Sequence, residues 1–248
     1  MISRLATITL TTGLMALSPL AAGTFEYSLG DTVFEGFVAM PEQAPRGAVL
    51  IVHDWDGLNA HEIARAEAMA AAGYVGIALD LFGRDAVLEG IEDYRRETVA
   101  LYGNRAEFRA RMQAGIEAAS ALEGVPADMV LTGYCFGGAA ALEGARAGFD
   151  MAGFVSFHGG LATPDGQDYS ATSAPVLVLH GSADPVPGSG MADLAALMGA
   201  LDDAGIQHHA RIFGGARHAF TVEGSNDWDP DANAGAEAAL LEFLEDVF

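Results

Sequence analysis

Residues 128–147 read DMVLTGYCFGGAAALEGARA. The apolar run Met129–Leu131 predicts a buried strand, and the alanine-rich stretch after Gly138 predicts a helix. Between them stands Gly133-Tyr134-Cys135-Phe136-Gly137-Gly138, which holds the only cysteine of the 248 residues. A strand that turns at once into a helix needs a tight elbow, and residues without side chains around the turn avoid clashes with the neighbouring strand and helix. An isolated cysteine is usually a small buried hydrophobe. Fenced by glycines at a strand-to-helix turn it reads instead as an exposed nucleophile, the cysteine form of the G-x-S-x-G elbow.

The rest of the chain repeats the strand–helix alternation. TFEYSL and TVFEGFVAM, separated by Gly30-Asp31, predict an antiparallel hairpin. GAVLIVH (47–53) is a continuous apolar strand of the kind buried on both faces of a parallel sheet. A helix with Asn59 as N-cap and Gly73 as its stop follows, then strand YVGIALDL (74–81). The polar, charged segment from Gly83 to Asn104 separates it from helix 106–124. After the elbow come strands GFVSFHG, APVLVLHG and HHARIFGG, a helix at 191–205 between the last two, and a final amphipathic helix over 232–247. The pattern predicts one α/β domain with a mostly parallel central sheet covered by helices on both faces.

Ligands of an open α/β sheet collect beyond the carboxyl ends of its strands. Three reactive residues fall there, each after its own strand: Cys135, Asp184 in HGSADPVP, and His218 in GARHAF. Nucleophile, acid, histidine is the chain order of the α/β-hydrolase triad. In that arrangement His218 takes the thiol proton and Asp184 fixes its tautomer. The amide of Phe136 and, from the loop HDWDGLN, the amide of Trp55 are the expected oxyanion donors. His53 and His180 close strands and are expected to be packed or hydrogen-bonded, His158 is a candidate for the pocket wall, and His208 and His209 read as ordinary strand residues. HEIAR lacks the second histidine of a zinc helix, and no other spacing of metal ligands or phosphate-binding glycines occurs, so no metal or cofactor is implied.

Composition bounds the partners. The formal net charge is −22, from 34 acidic residues against 12 basic ones, and every basic residue is an arginine. Such a surface repels phosphate backbones and anionic lipid, which argues against nucleic-acid binding. At the N-terminus, Arg4 precedes an apolar stretch from Leu5 to Leu17, followed by Pro19 and Ala-Ala-Gly. That is the layout of a secretory signal peptide over residues 1–22, too short to span a membrane. It predicts an exported mature chain, periplasmic or secreted, of residues 23–248, and a cytoplasmic protein if the segment is not cleaved; the sequence leaves the oligomeric state open, with a monomer favoured. Export puts a free thiol in an oxidising compartment, and catalysis is the strongest reason to keep it there.

GYCFGG, HGSADPVP and GARHAF, with DWDGLN and GYVGIALDLFGR, resemble the dienelactone hydrolase family from about Gly47 to Phe248. The resemblance implies a Cys135–His218–Asp184 triad that cleaves an ester or enol-lactone through a thioester. It also implies a thiol-activating glutamate, here replaced by the shorter Asp54, and two arginines that hold a substrate carboxylate. Arg84 stands at the first of those positions and Val222 at the second. The competing readings are a broad carboxylesterase or thioesterase, and a thiol-reactive or ligand-binding protein without turnover. The stretch 85–104, with Tyr94 and Tyr102, is a candidate lid.

Overall fold

The computed structural model describes residues 22–248, so nearly all of the expected signal segment lies outside the described residues. An eight-stranded sheet runs in the order β1-β2-β4-β3-β5-β6-β7-β8. The hairpin β1 (Gly23–Leu29) and β2 (Thr32–Ala39) is antiparallel, and β2 lies antiparallel to β4 (Val75–Leu79). From β4 onward through β3 (Ala48–Val52), β5 (Met129–Tyr134), β6 (Gly153–Phe157), β7 (Val176–Gly181) and β8 (His208–Phe213), every pairing is parallel.

The central strands β3 to β7 are buried on both faces, which is why β3 and β4 carry no polar residue. In β3, Ala48, Leu50 and Val52 join one core, while Val49 and Ile51 join the other. The first core also takes in Phe108 and Met112 of α3 (Arg105–Ser120), Leu142 of α4 (Phe136–Ala147) and Leu194, Leu197 and Leu201 of α5 (Met191–Asp203). The second receives Ala66 and Met69 of α1 (Ala60–Ala71) and Leu240, Phe243 and Leu244 of α6 (Pro230–Val247). Each Val, Leu, Ile, Met or Phe side chain among them contributes about 1.5–3 kcal/mol before entropy is counted.

Asn59 caps α1 as predicted, inside a capping box with Glu62. The charged segment before Asn104 departs from its reading as a polar connection, because it contains the helix α2 (Ile91–Gly103). Its first turns are held by exposed i,i+3 pairs, Glu92–Arg95 and Asp93–Arg96. Its buried side is short, chiefly Thr98 and Leu101, while Ile91 and Val99 face water. Among the described residues no helix is long and apolar enough to cross a membrane.

Candidate active site

β5 delivers Cys135 to the carboxyl edge of the sheet, and α4 begins at the next residue. Cys135 sits at φ 52°, ψ −108°, a conformation that costs a side-chain-bearing residue about 1–3 kcal/mol. Its amide donates to the Phe157 carbonyl at 3.0 Å, and its own carbonyl accepts from the Ala139 amide at 3.1 Å. Glycine is required on both sides for space. A Cβ on Gly133 would lie 2.4 Å from the carbonyl carbon of Gly137, and one on Gly137 would lie 2.1 Å from the carbonyl oxygen of Val52.

The loops after β7 and β8 bring the other two predicted residues to the thiol. His218 Nε2 is 3.0 Å from Cys135 Sγ, and His218 Nδ1 is 2.7 Å from Asp184 Oδ2. The remaining oxygen of Asp184, Oδ1, accepts from the Val186 amide at 2.9 Å. Burial alone would push the His218 imidazole down. Its hydrogen bonds to Asp184 and Cys135 and their charge overcome this and push it up to about 10. Trp55 and Phe136 line the same cavity, and neither amide donates to a protein acceptor among the described residues.

His158 departs from its expected place. It is fully buried behind His218, with ring centroids 5.3 Å apart, and does not line the cavity. Its backbone sits at φ 38°, and its Nε2 meets the Thr221 hydroxyl at 2.8 Å. Burial, then the neighbouring His218 charge, lower its pKa well below the usual range, so it stays neutral. Its place in the wall of the fold is therefore to hold the 218–221 loop, not to meet substrate.

Asp54 likewise makes no hydrogen bond to Cys135 and is absent from the cavity wall. His53 donates from Nδ1 to the Asp54 carbonyl at 2.6 Å and accepts from the Leu81 amide at 3.0 Å, which turns the loop so that the carboxylate accepts from the Asp56 amide at 3.1 Å. Burial, reinforced by Asp56 and Glu62, pushes Asp54 up to about 9, and burial pushes Glu62 up to about 7. An acid whose folded pKa is raised contributes stability below its unfolded value and loses it as pH rises through the folded value. Asp54 therefore destabilises the fold progressively between about pH 4 and pH 9. The neutral isostere Asp54→Asn is expected to melt higher than wild type at pH 8–9, with the gap closing toward pH 4. Calorimetry across that range checks it, and parallel curves would refute it.

Arg84 also lies away from the site. Asp80 Oδ1 and Oδ2 accept from the Phe82 and Gly83 amides, and Gly83 takes φ +107°, so the chain turns off after Leu81. The Arg84 amide then donates to the Val33 carbonyl at 2.8 Å, and its guanidinium pairs with Glu26 at 2.6 Å on the exposed hairpin. Val222 does not reach the cavity either. The two-arginine carboxylate clamp is not built at these positions.

The cavity over Cys135 and His218 has a volume of about 670 Å³. Its walls are mostly apolar, with Trp55, Phe136, Pro185, Val186 and Ala219 prominent. Helix α2 supplies Thr98 and Tyr102, and Trp55 meets Tyr94 edge to face at 5.6 Å, so the candidate lid forms a wall of the cavity. Arg105 and Arg146 line it too. Nothing in their spacing marks them, because they meet only through Glu143 in the folded chain.

The dienelactone hydrolase family model matches residues 34–248. A dienelactone hydrolase-like promiscuous phosphotriesterase from metagenomic libraries is 30% identical, with a TM-score of 0.84 over 92% of this chain and 98% of that one. The structure designated m3DLH is also 30% identical, with a TM-score of 0.86 over 93% and 100%. An acylaminoacyl peptidase from Pyrococcus horikoshii, 18% identical with a TM-score of 0.71, shares the fold over 93% of this chain and 42% of its own. No curated protein matches the chain.

Proposed function

Since the chain belongs to the dienelactone hydrolase family and its members are hydrolases, we propose that it cleaves a carboxylic ester or lactone through a thioester on Cys135. The observation that carries this reading is the single imidazole spanning Sγ at 3.0 Å and the Asp184 carboxylate at 2.7 Å.

His218 Nε2 takes the thiol proton, and the thiolate attacks the carbonyl carbon. The oxyanion rests on the amides of Phe136 and Trp55, and the first turn of α4 adds positive partial charge beside it. The carbon–oxygen bond then breaks, and His218 returns its proton to the leaving alcohol. The same imidazole deprotonates water, which attacks the thioester and releases the acid and the thiol. Acylation removes the charge that Cys135 contributes to the raised His218 pKa. The imidazole is thereby freed to act as base when the second step needs one.

A broader esterase or thioesterase without lactone preference is the second reading, favoured by the position of Arg84 and Val222 outside the cavity. Turnover of a carboxylated enol-lactone against p-nitrophenyl acetate separates the two. Strong lactone preference supports the narrow reading, and cleavage of the acetate alone supports the broad one. Rapid alkylation of Cys135 with no turnover of either would replace both with a thiol-reactive role.

A further inference from the structure

The cavity is much larger than an acetyl ester or a small ring lactone requires, and about 670 Å³ lies within the usual range for ligands of drug size. Apart from the Cys135–His218 pair and Asp227, its charged side chains gather at one corner, where α2 and α3 meet α4. There Glu143, fully buried, receives Arg105 at 3.3 Å, Arg109 at 2.6 Å and Arg146 at 2.9 Å. Three guanidinium groups against one carboxylate leave two positive charges uncompensated. This occurs in a protein whose formal net charge is −22.

The three arginines are not equivalent. Arg109 does not line the cavity. Each of the three nitrogens of Arg146 has an acceptor, in Glu143, in Gln167 at 2.9 Å and in the Tyr169 hydroxyl at 2.8 Å, and its side chain is 3% exposed. Arg105 spends one terminal nitrogen on Glu143, and its other nitrogens have no acceptor among the described residues. Its guanidinium lies 5.0 Å over the ring of Tyr102, whose hydroxyl also lacks a protein partner among the described residues. The Thr98 hydroxyl is occupied by the Tyr94 and Arg95 carbonyls. The other charged side chain lining the cavity, Asp227, is matched by Arg217 at 2.7 Å.

We propose that the cavity takes an ester with an extended apolar acyl chain ending in an oxyanion, and that Arg105, with the Tyr102 hydroxyl beside it, receives that terminal group. The inference rests on the acyl-enzyme reading and adds a substrate class to it: a long, amphiphilic, monoanionic ester. A guanidinium with two nitrogens lacking an acceptor among the described residues suits a carboxylate bidentately, while the apolar walls take the chain. The excess positive charge raises the gain from an anion at this corner and disfavours a cation.

The test compares p-nitrophenyl hemiesters of dicarboxylic acids, from succinate to sebacate, with neutral p-nitrophenyl esters of matched length. The charged member is expected to be preferred at least tenfold in kcat/KM once the chain is long enough to reach Arg105. Arg105→Gln is expected to reduce that charged-to-neutral ratio at least tenfold, mainly through KM. Turnover of both series with no preference, or a preference that survives Arg105→Gln, overturns the proposal. If neither series is turned over, the acyl-enzyme reading is the one that fails. The subsite is then read by calorimetry with monomethyl suberate and methyl octanoate on the Cys135→Ala protein. Tighter binding of the anion, lost on adding Arg105→Gln, supports the subsite, and equal binding refutes it.

Discussion

Replacing Cys135 by alanine is expected to lower ester turnover by about ten-thousand-fold or more, to the level set by the oxyanion amides and the cavity alone. The variant removes one sulfur atom from a half-exposed position and leaves the backbone of the elbow intact. Its melting temperature should stay close to wild type, since alanine keeps the Cβ in the same backbone conformation and only the contacts of the sulfur are lost. Groups that act as a unit are not additive, so His218→Ala should cost about as much, and the double variant little more. Steady-state kinetics on all three proteins, with thermal melts beside them, make the comparison. Turnover of Cys135→Ala within tenfold of wild type would mean that the thiol is not the nucleophile.

Gly137→Ala is expected to destabilise the fold by about 3 kcal/mol or more, enough to abolish soluble expression in a domain of ordinary stability. Helix propensity argues the other way, because alanine is favoured over glycine by about 1 kcal/mol inside a helix. The steric term decides. The added methyl would stand 2.1 Å from the Val52 carbonyl oxygen and 2.7 Å from that of His53, which are backbone atoms of β3 and its loop and cannot swing aside. Relief requires α4 to move off the β3–β5 ladder, where Val52 faces Gly133. Gly199, within α5, is the matched control, since a methyl there meets nothing within 4 Å. Gly199→Ala should stabilise by about 0.4–1 kcal/mol. Urea melts of the two variants that move in the same direction would contradict this account of the elbow.

The sheet was legible because burial on both faces leaves runs such as Val49–Val52 with no polar residue. The elbow was legible because two close backbone approaches require glycine at 133 and 137. Cys135, Asp184 and His218 could be placed because each lies at the end of, or on the loop after, a readable strand. Helix α2 was not legible, since Gly90 before it offers no side-chain cap and the helix turns Ile91 and Val99 to water. Arg84 was misplaced because its partner, Glu26, lies 58 residues away on the hairpin. His158 follows a strand as the reactive residues do, but its positive φ and its bond to Thr221 turn it into the protein interior. The Arg105 corner depends on Glu143, 38 residues distant, and on tertiary packing that no local pattern records.

Rapid-quench mass spectrometry on the protein mixed with a slow ester reads the covalent step directly. The intact mass is expected to rise by one acyl group within the first turnover, peptide mapping to put the group on Cys135, and Cys135→Ala to gain nothing. Full turnover with no adduct at any quench time, or an adduct of equal yield in Cys135→Ala, would contradict it.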